Sequence, residues 1–318
     1  HFDCAVSGAP WCAPFRASML TSAYPHQHGV SSTPGRLDPA FPRVTDPLQA
    51  AGYHTAYVGK WHMNGSNRRD HWISPEERRG FDYWMGYEGN NSQNELYVFG
   101  TESDVPVRLH GYETDSLADM LIDHLRNHIR GSSGVAGAVK SDEQRGGTYQ
   151  PFFAALSVQP PHNPYVPPHS TATGRPALPP GRVQMRRNVP DIPWIRDQAA
   201  VDLAGYYGMI ENLDDNIGKL KNALKELGVD QDTYIVFFSD HGDMLGSHGQ
   251  WRKSSPWEES IRIPFIVSTA GFQYNMKAGR STAVVNHVDI APTTLGLCGI
   301  PTPEWMQGYD YSRHCIHK

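Results

Sequence analysis

The chain has 318 residues, enough for one large or two ordinary domains, and 39% hydrophobic, 11% aromatic and 19% charged residues exclude global disorder. The net charge of −5 gives no support to general nucleic-acid binding. No apolar run approaches the ~18 to 20 residues of a membrane span, so the expectation is a soluble globular protein.

The sequence opens on "HFDCAVSG", without Met or a basic-then-apolar leader, which fits a processed chain or a fragment. Cys4, Cys12, Cys298 and Cys315 are too few and too scattered for a disulfide framework, and none forms a CxxC zinc pair. Cys298 and Cys315 could pair; two ordinary thiols are the simpler expectation. Cys12 sits in "PWCAPFRASMLTSAYPHQHGV", with Arg16 one helical turn further on. That spacing allows a thiolate nucleophile. A phosphatase-type loop, however, wraps an oxyanion in backbone N–H groups between Cys and Arg, and Pro14 lacks that donor.

Further along, "YHTAYVGK" (Tyr53 to Lys60), "PFFAALSV" (Pro151 to Val158), "TYIVFFSD" (Thr233 to Asp240) and "IPFIVST" (Ile263 to Thr269) read as strands. Their near-continuous apolar character predicts burial on both faces, as in a parallel sheet covered by helices. Helices are expected over Ser116 to Ile129 and over Gln198 to Leu227. The second carries Tyr206, Ile210, Leu213, Ile217, Leu220, Leu224 and Leu227 as one apolar stripe for core packing, and Gly228 as its stop. A third helix runs through "DIAPTTLGLCG", capped by Asp289 and ending near Gly299. The alternation argues for an α/β fold. Gly131 to Gly147 reads as a flexible surface insertion, and the Pro-rich stretch of about 160–193 as a loop shaping an entrance.

Three of the four strands run into polar residues, and ligands of open α/β sheets bind beyond such strand ends. Asp240 and His241 form half of a metal site, or Asp240 merely caps a turn. Lys60, His62, His162 and Lys253 would repel one another at one sheet edge without an anion to bind.

These residues carry a resemblance. "CAPFRASMLTSAYPHQHGV" resembles the signature of the type I, formylglycine-dependent sulfatases of the alkaline phosphatase-like superfamily, and "YVGKWH", "PHNPY", "SDHGDMLGSHGQWRKS", "EESIRIPFIV" and "VDIAPTTLGLCGIPTPEWMQG" match further blocks in order. The resemblance implies an alkaline phosphatase-like α/β fold with a large, mostly parallel sheet between helices. It implies that a maturation enzyme oxidises Cys12 to formylglycine. One hydroxyl of the hydrated aldehyde attacks the sulfur of a sulfate ester, and loss of a proton from the other expels sulfate. Arg16 would orient the diol, Lys60 and Lys253 would bind sulfate oxygens, His62 would be the base, and His162 with Lys253 would protonate the leaving oxygen. Asp240, His241 and residue 12 would hold a divalent cation, usually calcium. The substrate would be a sulfated small molecule or carbohydrate, and a secreted, periplasmic or lysosome-like compartment would fit.

The match departs at Phe15, where many members have Ser, at Ser22, which replaces a Gly, and at His241, often Asn. Members begin with a strand ending in two aspartates that complete the metal site. Here the only such pair, Asp214-Asp215, falls on the polar face of a helix. The expectation is a catalytic domain lacking that first strand and a C-terminal subdomain, with weak metal binding and low activity. A phosphonate monoester or phosphodiester hydrolase of the same superfamily and an inactive anion-binding protein are the alternatives. "FDYWMGYEGNNSQNELYVFG" (Phe81 to Gly100) could stack on a sugar but reads more simply as core and loop.

Overall fold

A computed structural model describes residues 1–68, 70–131, 139–140, 148–168, 178–271 and 276–316. Its strands are β1 (Phe2–Val6), β2 (His54–Lys60), β3 (Tyr83–Tyr87), β4 (Leu96–Val98), β5 (Val107–Leu109), β6 (Val139–Lys140), β7 (Thr148–Tyr149), β8 (Phe152–Ser157), β9 (Tyr234–Phe238), β10 (Phe265–Thr269) and β11 (Ser281–Asn286). The α-helices are α1 (Cys12–Thr21), α2 (Pro25–His28), α3 (Thr45–Ala50), α4 (Glu113–Gly131), α5 (Pro193–Glu226), α6 (Glu258–Ile261), α7 (Ile290–Leu297) and α8 (Ser312–Cys315). Most of the expected insertion at Gly131 to Gly147 and the middle of the Pro-rich loop lie outside the described residues. Among the described residues no helix is long and apolar enough to cross a membrane.

Three of the six described strand pairs are parallel, including those around the central β2. β2 runs parallel to β3 on one side and β8 on the other, with Gly59 opposite both Gly86 and Ser157, and β1 runs parallel to β11. One expected parallel strand does not comply: β10 lies antiparallel to β9, Phe265 facing Phe238. The connection between them contains a three-residue 3-10 turn and the four-residue α6 and carries site residues, so it provides no crossover helix of the kind a parallel neighbour requires.

β2 is buried from Thr55 to Lys60, as its apolar run predicts, whereas β8 and β9 are half-buried throughout. The reason is a cavity of about 1240 Å³ between them, lined by Phe153, Leu156, Ile235 and Phe237. Among the described strands β8 pairs only with β2, and β9 only with β10.

This cavity also corrects the reading of α5. The helix starts at Pro193, five residues before the expected Gln198, because Pro in the first turn loses no helical hydrogen bond. Gly228 ends it at φ +73°, as expected. The stripe from Tyr206 to Ile217 lines the cavity, with Ile210 exposed, whereas further on Leu224 is buried in the core as expected and Leu220 and Leu227 pack against it. Also buried are Leu203, Met209, Asn212 and Asn216. The two Asn amides donate to Asp115 Oδ1 of α4 at 2.9 and 2.6 Å, joining the two helices.

α4 buries Leu117, Leu121 and Leu125 as its period predicts. Asp289 stands at the N-cap position of α7 but bonds none of its N–H groups. Its carboxylate accepts from Asn286 N at 2.7 Å and Tyr309 N at 2.8 Å, bracing the preceding turn. Phe81 and Trp84 join Tyr57 and Trp61 in an aromatic core, the Tyr57 and Trp84 rings stacking at 5.0 Å. All four cysteines are free, with Cys298 and Cys315 in separate clusters.

Candidate active site

Cys12 is the first residue of α1 and is 3% exposed. Pro14 fits the first turn, where its missing N–H has no helical partner to lose. Phe15 anchors the helix against Phe238 and His287, with centroids at 6.0 and 5.6 Å. Ser22 closes α1 at φ +52°, a conformation glycine adopts more easily, and is held there by its hydroxyl donating to Val288 O at 2.7 Å. Residue 12 is thus fixed at a helix N-terminus, whose dipole favours negative charge.

The other groups arrive from strand ends. Gly59 has φ +114°, and a Cβ there would lie 2.0 Å from Ser157 O, so β2 can meet β8 at this point only with glycine. Lys60 follows, buried, with Nζ 4.0 Å from Cys12 Sγ. Arg16 Nη1 donates to Lys60 O at 2.8 Å and to Ser157 Oγ at 2.6 Å, and Nη2 lies 3.5 Å from Asp240. Its hydrogen bonds go to these partners and none to Cys12, so Arg16 ties the ends of β2 and β8 to the start of the β9 loop.

His62 takes φ +57° and meets Asn67 Oδ1 through Nε2 at 3.0 Å, while its Nδ1 is buried without a hydrogen-bond partner. Glu88 fixes this loop by accepting the N–H groups of Met63, Asn64 and Ser66 at 3.2, 2.6 and 3.3 Å. His162, beyond β8, donates from Nδ1 to Asn163 O at 2.7 Å, which leaves Nε2 to accept from Lys253 Nζ at 2.7 Å. Lys253 Nζ is also 3.3 Å from Cys12 Sγ. Asp240 and His241 follow β9, with His241 Nε2 3.5 Å from Cys12 Sγ. Asp240 pairs with Arg16 and with His241, at 3.6 Å, rather than capping a turn. Gly242 allows the crossing beyond them, since a Cβ there would stand 2.1 Å from Glu259 O.

The electrostatics favour an anion at residue 12. Burial alone would push the Cys12 thiol up, but Lys60, His241 and His62 overcome it and hold it well below its ordinary value. Burial pulls Lys60 down against the opposing Cys12. Burial, then Lys253 and Lys60, lowers His162 to about 4, so this imidazole is neutral at pH 7. Asp240 stays below its ordinary value despite burial, because His241 and Arg16 face it.

Cys12, Asp240 and His241 each offer a donor atom, all within 4.8 Å of one another. This fits part of a divalent cation's shell. Calcium takes six to eight oxygens, and here Asp240 supplies the only carboxylate, beside an imidazole and a sulfur that suit softer ions. An oxygen at position 12 in place of sulfur would bring the set closer to calcium.

All eight residues singled out in the sequence therefore meet around Cys12. Sequence reasoning missed the residues that hold them: Ser157, Asn67, Glu88, and the chain in which Glu113 accepts from Tyr87 OH at 2.6 Å and Gln159 N at 2.8 Å. Gln93 Nε2 then donates to His162 O at 3.3 Å. Nothing in their local sequence marks them for burial, and only the pairing of strand ends reveals them.

An α/β fold with a buried cysteine at a helix N-terminus, converging cations and a carboxylate–imidazole pair at the strand ends matches the alkaline phosphatase-like fold. The chain belongs to the sulfatase family, whose model matches residues 1–300. It is 30% identical over 316 residues to an ulvan-active sulfatase of Formosa agariphila, an alignment covering 98% of this chain and 57% of that protein. It is 28% identical to an endo-4-O-sulfatase of Bacteroides thetaiotaomicron, over 97% of this chain and 62% of that one. The chain thus spans about three-fifths of these relatives. Among solved structures, yidJ of Bacteroides fragilis, a sulfatase by assignment, superposes with a TM-score of 0.84 at 25% identity over 99% of this chain and 70% of the other. A phosphonate monoester hydrolase from Silicibacter pomeroyi shares the fold with a TM-score of 0.63 at 21% identity, over 98% and 68% of the two chains.

Proposed function

We propose that this chain is the catalytic part of a sulfuric ester hydrolase that acts on a sulfated carbohydrate after Cys12 has been converted to formylglycine. The observation that carries the reading is the position of residue 12: at the head of α1, within 4.0 Å of Lys60, Lys253 and His241, with Arg16 and Asp240 behind. The hydrated aldehyde would supply an oxygen nucleophile at that point and a way to release sulfate without water attacking sulfur. A divalent cation held by Asp240, His241 and the residue-12 oxygen would add positive charge on the nucleophile's side. With one carboxylate among these donors, its affinity for this chain is weak.

The chain's own residues do the rest. Lys60 and Lys253 bind the ester's oxygens and offset charge that develops on them. Arg16 and Ser157 keep Lys60 and Asp240 in register. Lys253 Nζ, donating to His162 Nε2, holds the proton nearest the leaving oxygen, and the pair delivers it as the S–O bond breaks. His62, whose Nδ1 is buried and unpartnered, takes a proton from residue 12 when sulfate leaves. The carbohydrate substrate rests on the relatives, two of them named for ulvan and for endo-4-O activity.

The phosphonate hydrolase fold match keeps a second reading in view. Protein co-produced with a formylglycine-generating enzyme, with calcium present, should hydrolyse an aryl sulfate and a sulfated oligosaccharide with higher kcat/KM than phenyl phosphonate esters. A preference for the phosphonate would overturn the assignment, and calorimetry should show calcium binding that is lost in Asp240→Asn.

A further inference from the structure

Away from this site, the start of β2 meets the middle of α4 through histidines. His54 Nε2 and His124 Nε2 lie 3.0 Å apart. His128, one turn beyond His124, stacks on His54 with centroids at 4.2 Å, and Tyr83 stacks on His124 at 3.6 Å. Behind His54, Asp82 Oδ2 lies 3.5 Å from Nδ1. Asp82 is itself held by Thr55 N at 2.8 Å and Gln49 Nε2 at 3.0 Å. Each ring of the pair therefore has a flat neighbour on its face, and His54 has a carboxylate at its far nitrogen.

We propose that His54 and His124 hold a divalent transition-metal ion of the zinc–copper class between their Nε2 atoms, stapling β2 to α4. On a tetrahedral zinc with bonds of ~2.0–2.1 Å two ligand nitrogens stand about 3.3 Å apart, and on a square-planar copper about 2.9 Å. The observed 3.0 Å falls within that range. A carboxylate near the far nitrogen of a ligating imidazole raises its basicity, and Asp82 stands 3.5 Å from His54 Nδ1 to do so by its charge. Imidazole selects zinc, copper or nickel over calcium and magnesium, which take oxygens. Both rings are neutral at pH 7: burial and then His128 lower His54, and burial with His54 and His128 brings His124 to about 4, so protons compete little with the ion. In the metal-free protein one ring donates an N–H···N hydrogen bond to the other. On binding, that proton moves through solvent to Nδ1 of the same ring, so both rings stay neutral and both Nε2 lone pairs face the ion. His128 Nε2 is engaged with Gln150 O at 2.9 Å and serves as a support. Water completes the shell.

Cys12, Asp240 and His241 offer a competing donor set, so the titration uses the full chain carrying Cys12→Ser. Calorimetry with zinc chloride, after chelator treatment, should show a saturable site with a dissociation constant of about 10 µM or tighter. One equivalent of copper(II) should give an electron paramagnetic resonance spectrum with coupling to nitrogen. His124→Asn, and separately His54→Gln, should each weaken zinc by more than about tenfold and abolish its upward shift of Tm, with the circular dichroism unchanged. The inference falls if zinc affinity and the Tm shift survive in both variants, or if no saturation occurs below about 100 µM. It is independent of the catalytic reading, since the readout is binding.

Discussion

At the scale of single residues, the protein separates the proton from the group expected to carry it. His162 is pushed down to about 4 and accepts from Lys253 through Nε2, so in the free protein at neutral pH the lysine is the donor and the imidazole its guide. Lys253→Ala should therefore lower kcat/KM of the matured enzyme by about 10² to 10³ on any sulfate ester, since it removes both an oxygen ligand and the proton. His162→Ala should depend on the leaving group. A nitrophenolate leaves unaided, whereas a sugar hydroxyl needs the proton, so the variant should lose about 10²-fold more on a sulfated sugar than on nitrophenyl sulfate. Equal losses on both substrates would show that His162 serves only to bind. The positions of these residues were legible because Lys60 ends β2 and His162, Asp240 and Lys253 lie in the loops that follow β8 and β9. Ser157 gave no such signal. It ends β8 as any serine might, and its value lies in the Arg16 guanidinium and Lys60 carbonyl that converge on it.

Elements show where the sequence speaks and where it is silent. The apolar period of α5 correctly implied a helix, but periodicity says which face is apolar and not what lies against it. The stripe from Tyr206 to Ile217 looks into the cavity between β8 and β9, while the buried face includes two asparagines that a hydrophobic pattern passes over. Substitutions should follow the structure rather than the pattern. Leu203→Ala, at a position 1% exposed, should cost about 2 to 5 kcal/mol. Ile217→Ala borders space already empty, so no new void is made, and its cost should stay below about 1 kcal/mol. Urea unfolding of the two variants settles the order, and a larger loss at Ile217 would mean that the cavity is filled in solution. Gly59→Ala tests the junction of β2 and β8. With its Cβ against Ser157 O and φ in the left-handed half of the map, it should cost about 1 to 3 kcal/mol and displace Lys60, reducing activity beyond the stability loss.

Over the whole molecule, buried histidines outnumber the carboxylates that oppose them. Burial is the first cause that brings His28, His124, His162 and His287 to about 4. Each is neutral in the fold but takes up a proton in the unfolded chain below about 6.5, so its contribution is complete above that pH and declines as pH falls toward 4. Burial raises Glu88 and Glu113 to about 7. These two return some stability over the same descent, because their contribution is lost as pH rises from 4.5 to 7. Among the described residues His54 is lowered as well, while Asp289 and His241 are raised, so five histidines stand against four groups. Asp289 starts from a lower value and returns little above pH 5. In metal-free buffer Tm should therefore be lower at pH 5.0 than at pH 7.0; an equal or higher Tm would contradict the burial of these rings. The α/β class could be read from the alternation of elements, and the assembly of distant motifs around Cys12 from their resemblance to a known family, whereas the antiparallel β10 and the parted sheet could not, since pairing direction leaves no mark on composition. The claim on which the functional account depends is that the Cys12 sulfur is removed before catalysis. Mass spectrometry of the tryptic peptide that contains Cys12 and ends at Arg16, after co-production with a formylglycine-generating enzyme, tests it most directly. The account predicts a species in which an aldehyde, trapped by a hydrazide, replaces the thiol, and an intact cysteine throughout would contradict it.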